Sequence, residues 1–426
     1  MKKFDVPVMY RSALITAIKN RRKIDDKLKK DFTPTLLDFG EVQIFLARHF
    51  GFCYGVENAI EISFKTIEEN PGKKIYLLSE MIHNPQVNDD LQSRGVKFLM
   101  DTKGNTLIPF EVLRPGDIVI VPAFGTTLQI EQKLLQAGVE IEQYNTTCPF
   151  VEKVWNRAQA IAKNKYTVIV HGKPQHEETR ATFSHSAVHS PTIVVKDMKE
   201  AIELSRYILG TNDPEKFYTQ FAGQYSEGFK IETDLQRIGV VNQTTMLASD
   251  TQAIAELLKG TMIRKFNLNL STVEERFADT RDTLCYATND NQGAVYALLD
   301  TPADLAIVLG GYNSSNTSHL VELCEVKLPT YFIKSADEVI SAKEIRHYKM
   351  HRKEETTTIS YLPEKKPVKI LITSGASCPD AMVEGVIKKI VSFFKCNKTI
   401  EDLTGEFVNI SNLENEATPA QNLYQK

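Results

Sequence analysis

No apolar run in this chain approaches the ~18–20 residues needed to cross a bilayer. The opening Met1-Lys2-Lys3-Phe4-Asp5-Val6-Pro7 has no apolar core of the signal-peptide kind. Cys-x-x-Cys is absent, which argues against zinc ribbons and thioredoxin-type sites. So are the Walker loop, Gly-x-Gly-x-x-Gly and Gly-x-Ser-x-Gly. His176-Glu177-Glu178 is no zincin motif, because a histidine would have to stand at Arg180. Nor is there an excess of one charge: 51 Lys+Arg against 54 Asp+Glu leave a net −3, so nothing calls for nucleic acid or a membrane as partner. Six cysteines in 426 residues make no disulfide scaffold. Without an export signal the expected compartment is the cytoplasm, whose reducing conditions favour cysteines as metal ligands or catalytic groups.

What is present is a cysteine turn used three times. Val42-Gln43-Ile44-Phe45-Leu46-Ala47-Arg48 reads as a largely buried strand, and Glu57 to Phe64 as a helix. Between them stands Gly51-Phe52-Cys53-Tyr54-Gly55-Val56. Asn145-Thr146-Thr147-Cys148-Pro149 opens a second helix, with proline where no N–H is needed. Asp282-Thr283-Leu284-Cys285-Tyr286-Ala287-Thr288 precedes a third, over Asn291–Leu298. The first N–H groups of a helix are unpaired and carry partial positive charge, which lowers a thiol pKa and suits a reactive or metal-ligating thiolate. Cys324 and Cys396 lie in helical, partly apolar patterns and read as packed residues; Cys378 lies in a glycine-rich turn.

The length predicts about three domains, and alternating strand and helix signals predict an α/β fold. Residues 1–41 read as a polar N-terminal extension. A first lobe, 42–148, contains the strands Ile75–Leu78 and Asp117–Val121. A second, 149–284, contains Thr167–Val170, Thr192–Val195 and Ile238–Val241, with an insertion near 205–236. A third, 285–396, contains Leu305–Leu309 and Val368–Ile372. Residues 397–426 read as a tail.

Compact polar turns end several strands, where open α/β sheets bind ligands. They are Ile82-His83-Asn84-Pro85, His171-Gly172-Lys173 with His176-Glu177-Glu178-Thr179, Asn242-Gln243-Thr244-Thr245, Asn313-Ser314-Ser315-Asn316, and Ser374 to Asp380. Hydroxyls and N–H groups at helix starts can hold a phosphate. Three thiolates can bind three irons of a cubane and leave the fourth open to a substrate oxygen. These features predict an iron–sulfur enzyme acting on a phosphorylated small molecule.

At these residues the sequence resembles the 4-hydroxy-3-methylbut-2-enyl diphosphate reductases (the LytB/IspH family). The shared motifs are Gly-Phe-Cys-Tyr-Gly-Val, Ile-His-Asn-Pro, Thr-Thr-Cys-Pro, His-Glu-Glu-Thr, Asn-Gln-Thr-Thr-Met, Cys-Tyr-Ala-Thr, Asn-Ser-Ser-Asn and Gly-Ala-Ser-x-Pro-Asp, from about Val42 to Ser392. The resemblance implies three small α/β lobes in pseudo-threefold array around one [4Fe-4S] cluster, with Cys53, Cys148 and Cys285 as its ligands. It implies reductive loss of the hydroxyl of an allylic diphosphate, giving isopentenyl and dimethylallyl diphosphates as the last step of the methylerythritol phosphate pathway of isoprenoid biosynthesis. An electron donor such as ferredoxin or flavodoxin would serve it.

Carried over residue by residue, Glu178 supplies a proton beside His176, with Glu177 as the alternative, and Thr244 relays it near the substrate hydroxyl. His83, His176, Thr244, Ser314, Ser315, Asn316 and Ser377 bind substrate. One departure stands out: a turn that often carries a diphosphate-binding histidine reads Pro122-Ala123-Phe124-Gly125-Thr126-Thr127 here, which leaves Thr126 or Thr127 to compensate. The phenylalanine, the extension and the insertion resemble the plant and cyanobacterial branch. The extension is short and contains acids, unlike a transit peptide, which favours a bacterial cytoplasm. The competing readings are a three-lobed dehydratase or condensing enzyme such as quinolinate synthase, which lacks Asn-Ser-Ser-Asn and His-Glu-Glu-Thr, and a non-catalytic iron–sulfur sensor.

Overall fold

The computed structural model describes residues 4–139, 141–278 and 283–416. Asp282 of the third cysteine turn and the end of the tail lie outside them. The strands in chain order are β1 (Thr35–Asp38), β2 (Val42–Leu46), β3 (Ile75–Leu77), β4 (Lys97–Phe98), β5 (Ile118–Ile120), β6 (Thr167–His171), β7 (Thr192–Val195), β8 (Ile238–Asn242), β9 (Phe277–Ala278), β10 (Leu305–Leu309), β11 (Thr330–Ile333), β12 (Glu344–Lys349), β13 (Glu354–Ile359) and β14 (Val368–Ser374). Every strand expected from sequence forms. The chain divides into two compact units: one holds the chain through Cys53, His83–Pro85 and the chain from Asp290; the other holds Tyr54–Ile82 and Gln86–Asn289.

The first unit is built on a seven-stranded sheet of order β1-β2-β14-β10-β11-β12-β13. Its four central strands are parallel. β10 and β14 are buried along nearly their whole length, as strands covered on both faces must be. β2, expected at the head of the first lobe, is hydrogen-bonded to β14. β1, read as part of a polar extension, pairs antiparallel with β2.

Helix Ala13–Asp25 begins at Ser12, whose Oγ accepts from Ile15 N at 2.9 Å, and buries Leu14, Ile15 and Ile18 in the core of this sheet. Three apolar residues suffice for one helix stripe, and the surrounding charges hid them from a composition-based reading. The expected tail forms helix Ile400–Glu416, which packs beside Ala13–Asp25 and buries Ile400 and Leu403. Cys324 is buried on a helix as expected, whereas Cys396 sits in a β-bridge with Gly40.

The second unit holds a three-stranded parallel sheet, β4-β3-β5, and a four-stranded parallel sheet, β7-β6-β8-β9. The stretch near 205–236, expected as an insertion, belongs to the latter sheet's core. Phe217, Phe221, Phe229, Ile231 and Leu235 are buried in it, and the ring of Phe217 lies 5.1 Å from that of Phe221 and 5.6 Å from that of Phe229. Polar spacers between these aromatics masked their common face.

One topology recurs in all three sheets. An inner strand (β3, β6, β10) pairs with the next strand on one side and with a later strand (β5, β8, β14) on the other. Connections that diverge in this way leave a crevice at the carboxyl ends of the two inner strands. The polar turns singled out in the sequence follow those ends.

Leu14→Ala tests whether the N-terminal helix is part of the core. Removing this fully buried side chain should cost about 2–5 kcal/mol, read as a lowered urea midpoint of the first unit. A shift within error would show that the helix is a detachable appendage.

Candidate active site

In the second unit, β6 and β8 are adjacent and parallel, and their carboxyl ends deliver His171 and Asn242 side by side. The chain after β6 runs to helix Glu177–Ala187, with His176 as its cap: His176 Nδ1 accepts from Glu178 N at 3.2 Å. The ring proton therefore sits on Nε2. The chain after β8 carries Thr244. Its N–H donates to Glu178 Oε1 at 2.5 Å and its hydroxyl to Oε2 at 3.0 Å. Glu178 is 1% and Thr244 5% exposed, so the carboxyl group works out of bulk water. Cys285 N donates to the carbonyl of Thr244 at 3.3 Å, tying the third cysteine turn to this pair.

The alternative Glu177 is also buried, but it accepts from Ser79 Oγ, in the turn after β3. Two adjacent residues in the first turn of a helix point about 100° apart, so only one carboxylate reaches Thr244. Gln243 braces the same crevice: its Oε1 accepts from Thr179 Oγ1 and Lys173 N, and its Nε2 donates to Thr245 Oγ1.

The turn after β5 approaches from the side. Phe124 lies edge-on to His176, ring centroids 5.7 Å apart at 83°. Cys148 N donates to the carbonyl of Ala123 at 3.0 Å, and Cys148 caps helix Pro149–Lys163, with Pro149 in the expected first position. Gly55, in the first turn of helix Tyr54–Glu69, lies so close to Cys148 that an added Cβ would stand 2.5 Å from its Sγ. Tyr54 N donates to Tyr286 Oη at 3.2 Å, and the ring of Tyr286 packs on Phe150 at 4.9 Å. Tyr54, Phe150 and Tyr286 each follow a cysteine within two residues, so this unit brings three helix starts together. Sequence reading had assigned these aromatics no role, although their nearness to the cysteines was a visible signal.

In the first unit the crevice lies at the ends of β10 and β14. Ser314 caps helix Ser315–Glu325, its Oγ accepting from Thr317 N at 3.2 Å and from the Thr317 hydroxyl at 2.9 Å. Asn316 Oδ1 accepts from Ala376 N at 3.1 Å and from Asn291 Nδ2 at 3.5 Å, which leaves Nδ2 as its donor face. That Nδ2 and Ser315 Oγ are buried and have no hydrogen-bond partner among the described residues. Orphaned polar atoms at a helix start mark a place for a polar ligand.

Ser377 Oγ donates to the carbonyl of His83 at 3.1 Å, and Gly311 lies against that carbonyl, where an added Cβ would be 2.4 Å from the oxygen. Cys53 N donates to the carbonyl of Ala376 at 3.2 Å, so the first cysteine turn is anchored on the same loop. Gly51 takes φ +79°, and a Cβ there would meet Asp380 Oδ1 at 2.6 Å; the sharp turn before Cys53 needs glycine. Thus His83, Ser314, Ser315, Asn316 and Ser377 gather with Cys53 in one unit, and His176, Glu178 and Thr244 with Cys148 and Cys285 in the other.

None of the six cysteines is in a disulfide. Burial pushes the Cys324 and Cys378 thiols up to about 12, so both stay protonated at neutral pH and are poor ligands. No helix among the described residues is long and apolar enough to cross a membrane.

This arrangement has relatives. Residues 44–391 match the family described as LytB protein. A 4-hydroxy-3-methylbut-2-enyl diphosphate reductase of Cyanothece sp. is 42% identical over 353 residues, covering 82% of this chain and 84% of its own length. The protein of that name from Prochlorococcus marinus is 40% identical over 358 residues, covering 84% and 86%. The solved E-1-hydroxy-2-methyl-but-2-enyl-4-diphosphate reductase of Plasmodium falciparum shares the fold with a TM-score of 0.60 at 20% identity, over 89% of this chain and 99% of that one. A second solved structure, described as a reductase that is the terminal enzyme of the non-mevalonate pathway, gives 0.50 at 23%, over 82% and 99%.

The close approach of Gly55 to Cys148 predicts that Gly55→Ala forces two helix starts apart and lowers the thermal midpoint. Gly260→Ala, inside helix Ala248–Phe266 with nothing within 4 Å, should instead stabilise by about 1 kcal/mol. Equal shifts in calorimetry would refute the packing argument.

Proposed function

The chain belongs to the LytB protein family, and from that membership we propose that it is a 4-hydroxy-3-methylbut-2-enyl diphosphate reductase acting in the last step of the non-mevalonate route to isoprenoids. In that reaction the allylic C–O bond breaks. Two electrons and two protons enter, one proton leaving with the hydroxyl oxygen as water and the other adding to the allyl carbon. The products are isopentenyl and dimethylallyl diphosphates. The observation that carries this reading is the buried Glu178–Thr244 pair beside the Cys285 turn.

Cys53, Cys148 and Cys285 would hold a [4Fe-4S] cluster within the pseudo-threefold array of lobes that the resemblance implies. The residues fit it: each thiol stands immediately before a helix start, and Gly55 leaves the space that Cys148 Sγ occupies. Among the described residues no three His, Cys, Asp or Glu groups are placed to share one ion; a cubane takes one thiolate per iron, so its ligands need not share one. When bound, such a cluster supplies electrons singly and an open iron as Lewis acid.

The chain's own groups handle the proton and the diphosphate. Thr244 N–H donates to Glu178 Oε1, so a proton held by Glu178 sits on Oε2, against Thr244 Oγ1. Thr244 can take that proton and hand its own to the departing oxygen, which lets a buried carboxyl act on a group it does not touch. His176 contributes an Nε2 donor. Ser315 Oγ and Asn316 Nδ2, with the first N–H groups of their helix, suit the diphosphate. Ser314, Ser377 and His83 complete that pocket, which needs no lysine or arginine clamp. A small electron carrier such as ferredoxin or flavodoxin would deliver the electrons, and the reducing cytoplasm suits the three thiolates.

Two expectations follow for protein purified anaerobically and assayed with a reduced viologen. Serine at Cys53, Cys148 or Cys285 should abolish the brown absorbance or the activity, whereas Cys324→Ser should keep both; equal damage at Cys324 would sink the ligand assignment. Glu178→Gln should keep the absorbance and substrate binding but lower kcat by roughly 10²–10⁴. If Glu177→Gln did that and Glu178→Gln did not, the proton would belong to the neighbouring carboxylate.

A further inference from the structure

Behind the Phe124 turn lies a pair of rings with no part in the site described so far. The Trp155 indole and the His185 imidazole stack face to face, centroids 3.8 Å apart and 10° from parallel. Trp155, on helix Pro149–Lys163, donates Nε1–H to Thr182 Oγ1 at 3.1 Å. His185, on helix Glu177–Ala187, donates Nε2–H to the carbonyl of Thr126 at 3.2 Å. The edge of the indole fills the space beside Gly125: a Cβ there would lie 2.6 Å from Trp155 Cη2, and the φ of +73° is one that glycine adopts without strain. Ser184, one residue before His185, accepts from Leu128 N at 3.0 Å and donates to Gln129 Oε1 at 2.9 Å. The turn from Phe124 to Gln129 is thus held from the rear at Gly125, Thr126, Leu128 and Gln129, by two helices that begin at Cys148 and His176.

The Phe124 turn presents to the site an apolar side chain, which cannot fix its own position by hydrogen bonding. Its ring meets the edge of the His176 ring, and His176 in turn caps Glu178. An aromatic pair of this kind contributes about 0.5–1.5 kcal/mol, and the hydrogen bonds to the backbone of the turn add to that restraint. We infer that Trp155 and His185 are positioning residues: the ring stack and the His185–Thr126 hydrogen bond fix the Phe124 turn, and Phe124 passes that constraint to His176 and to the start of the helix that carries Glu178.

The inference rests on the reading of His176 and Glu178 as site residues. It predicts that the stack acts through Phe124, which a double-mutant cycle can test. In the holoenzyme, His185→Ala should lower kcat/KM by about ten- to hundredfold, with the absorbance and thermal midpoint little changed. His185→Gln, which keeps an N–H donor for Thr126, should recover most of the loss. In a Phe124→Ala background His185→Ala should cost no further activity beyond about twofold, the margin within which independent effects are judged additive. An equal loss in both backgrounds, a loss that follows the thermal midpoint, or no recovery with glutamine would each overturn it. If His185→Ala and its variants no longer fold, Trp155→Phe, which keeps a stacking ring without the Nε1–H, carries the same cycle. Unchanged kcat in Glu178→Gln would instead undo the reading of the site and leave the coupling between His185 and Phe124 measurable on its own.

Discussion

Gly55 meets Cys148 Sγ with no room for a methyl group, and Tyr54 N donates to the hydroxyl of Tyr286. These contacts draw three helix starts of the second unit together. A helix start is a concentration of N–H donors and partial positive charge. Gathering several costs electrostatic repulsion unless anionic groups face them. A cysteine stands immediately before each helix, where a thiolate would supply that charge, and glycine at position 55 permits the approach.

The polar groups follow from the same economy of backbone. Three sheets share one connection pattern, and in each the polar turns lie beyond the carboxyl ends of two adjacent parallel strands. A parallel sheet aims successive carbonyl ends and helix starts at one edge, so residues distant in the chain, such as Glu178 and Thr244, become hydrogen-bond partners without any local sequence relation. One crevice offers unpaired donors suited to an anion; the other offers a carboxyl group with a hydroxyl against it, suited to moving a proton.

The sequence alone determined the local features from which the site is proposed. Three cysteines before helices, the strands that precede the polar turns, and those turns themselves are local features, each written in a few consecutive residues whose hydrogen bonding is largely decided by their neighbours. Cys148 with Pro149 is the plainest case: the proline can only open a helix there, so the cysteine must cap it.

What only the tertiary structure decided is whatever depends on partners far along the chain. Two adjacent glutamates are equivalent as letters; Thr244, after the neighbouring strand of the same sheet, and Ser79, after a strand of another, give them different hydrogen-bond partners. Residues 13–25 read as a charged extension because Leu14, Ile15 and Ile18 are sparse, yet a helix needs only one apolar stripe, and whether that stripe finds a core is set by a sheet whose strands come from both ends of the chain. The aromatics of 205–236 likewise had no visible face until folding put them on one. Trp155 and His185 stood in no motif, since a stack between two helices leaves no spacing signature in either. Local propensity fixes where a helix begins and which side chain begins it; burial is a property of the whole chain, and no window of sequence contains it.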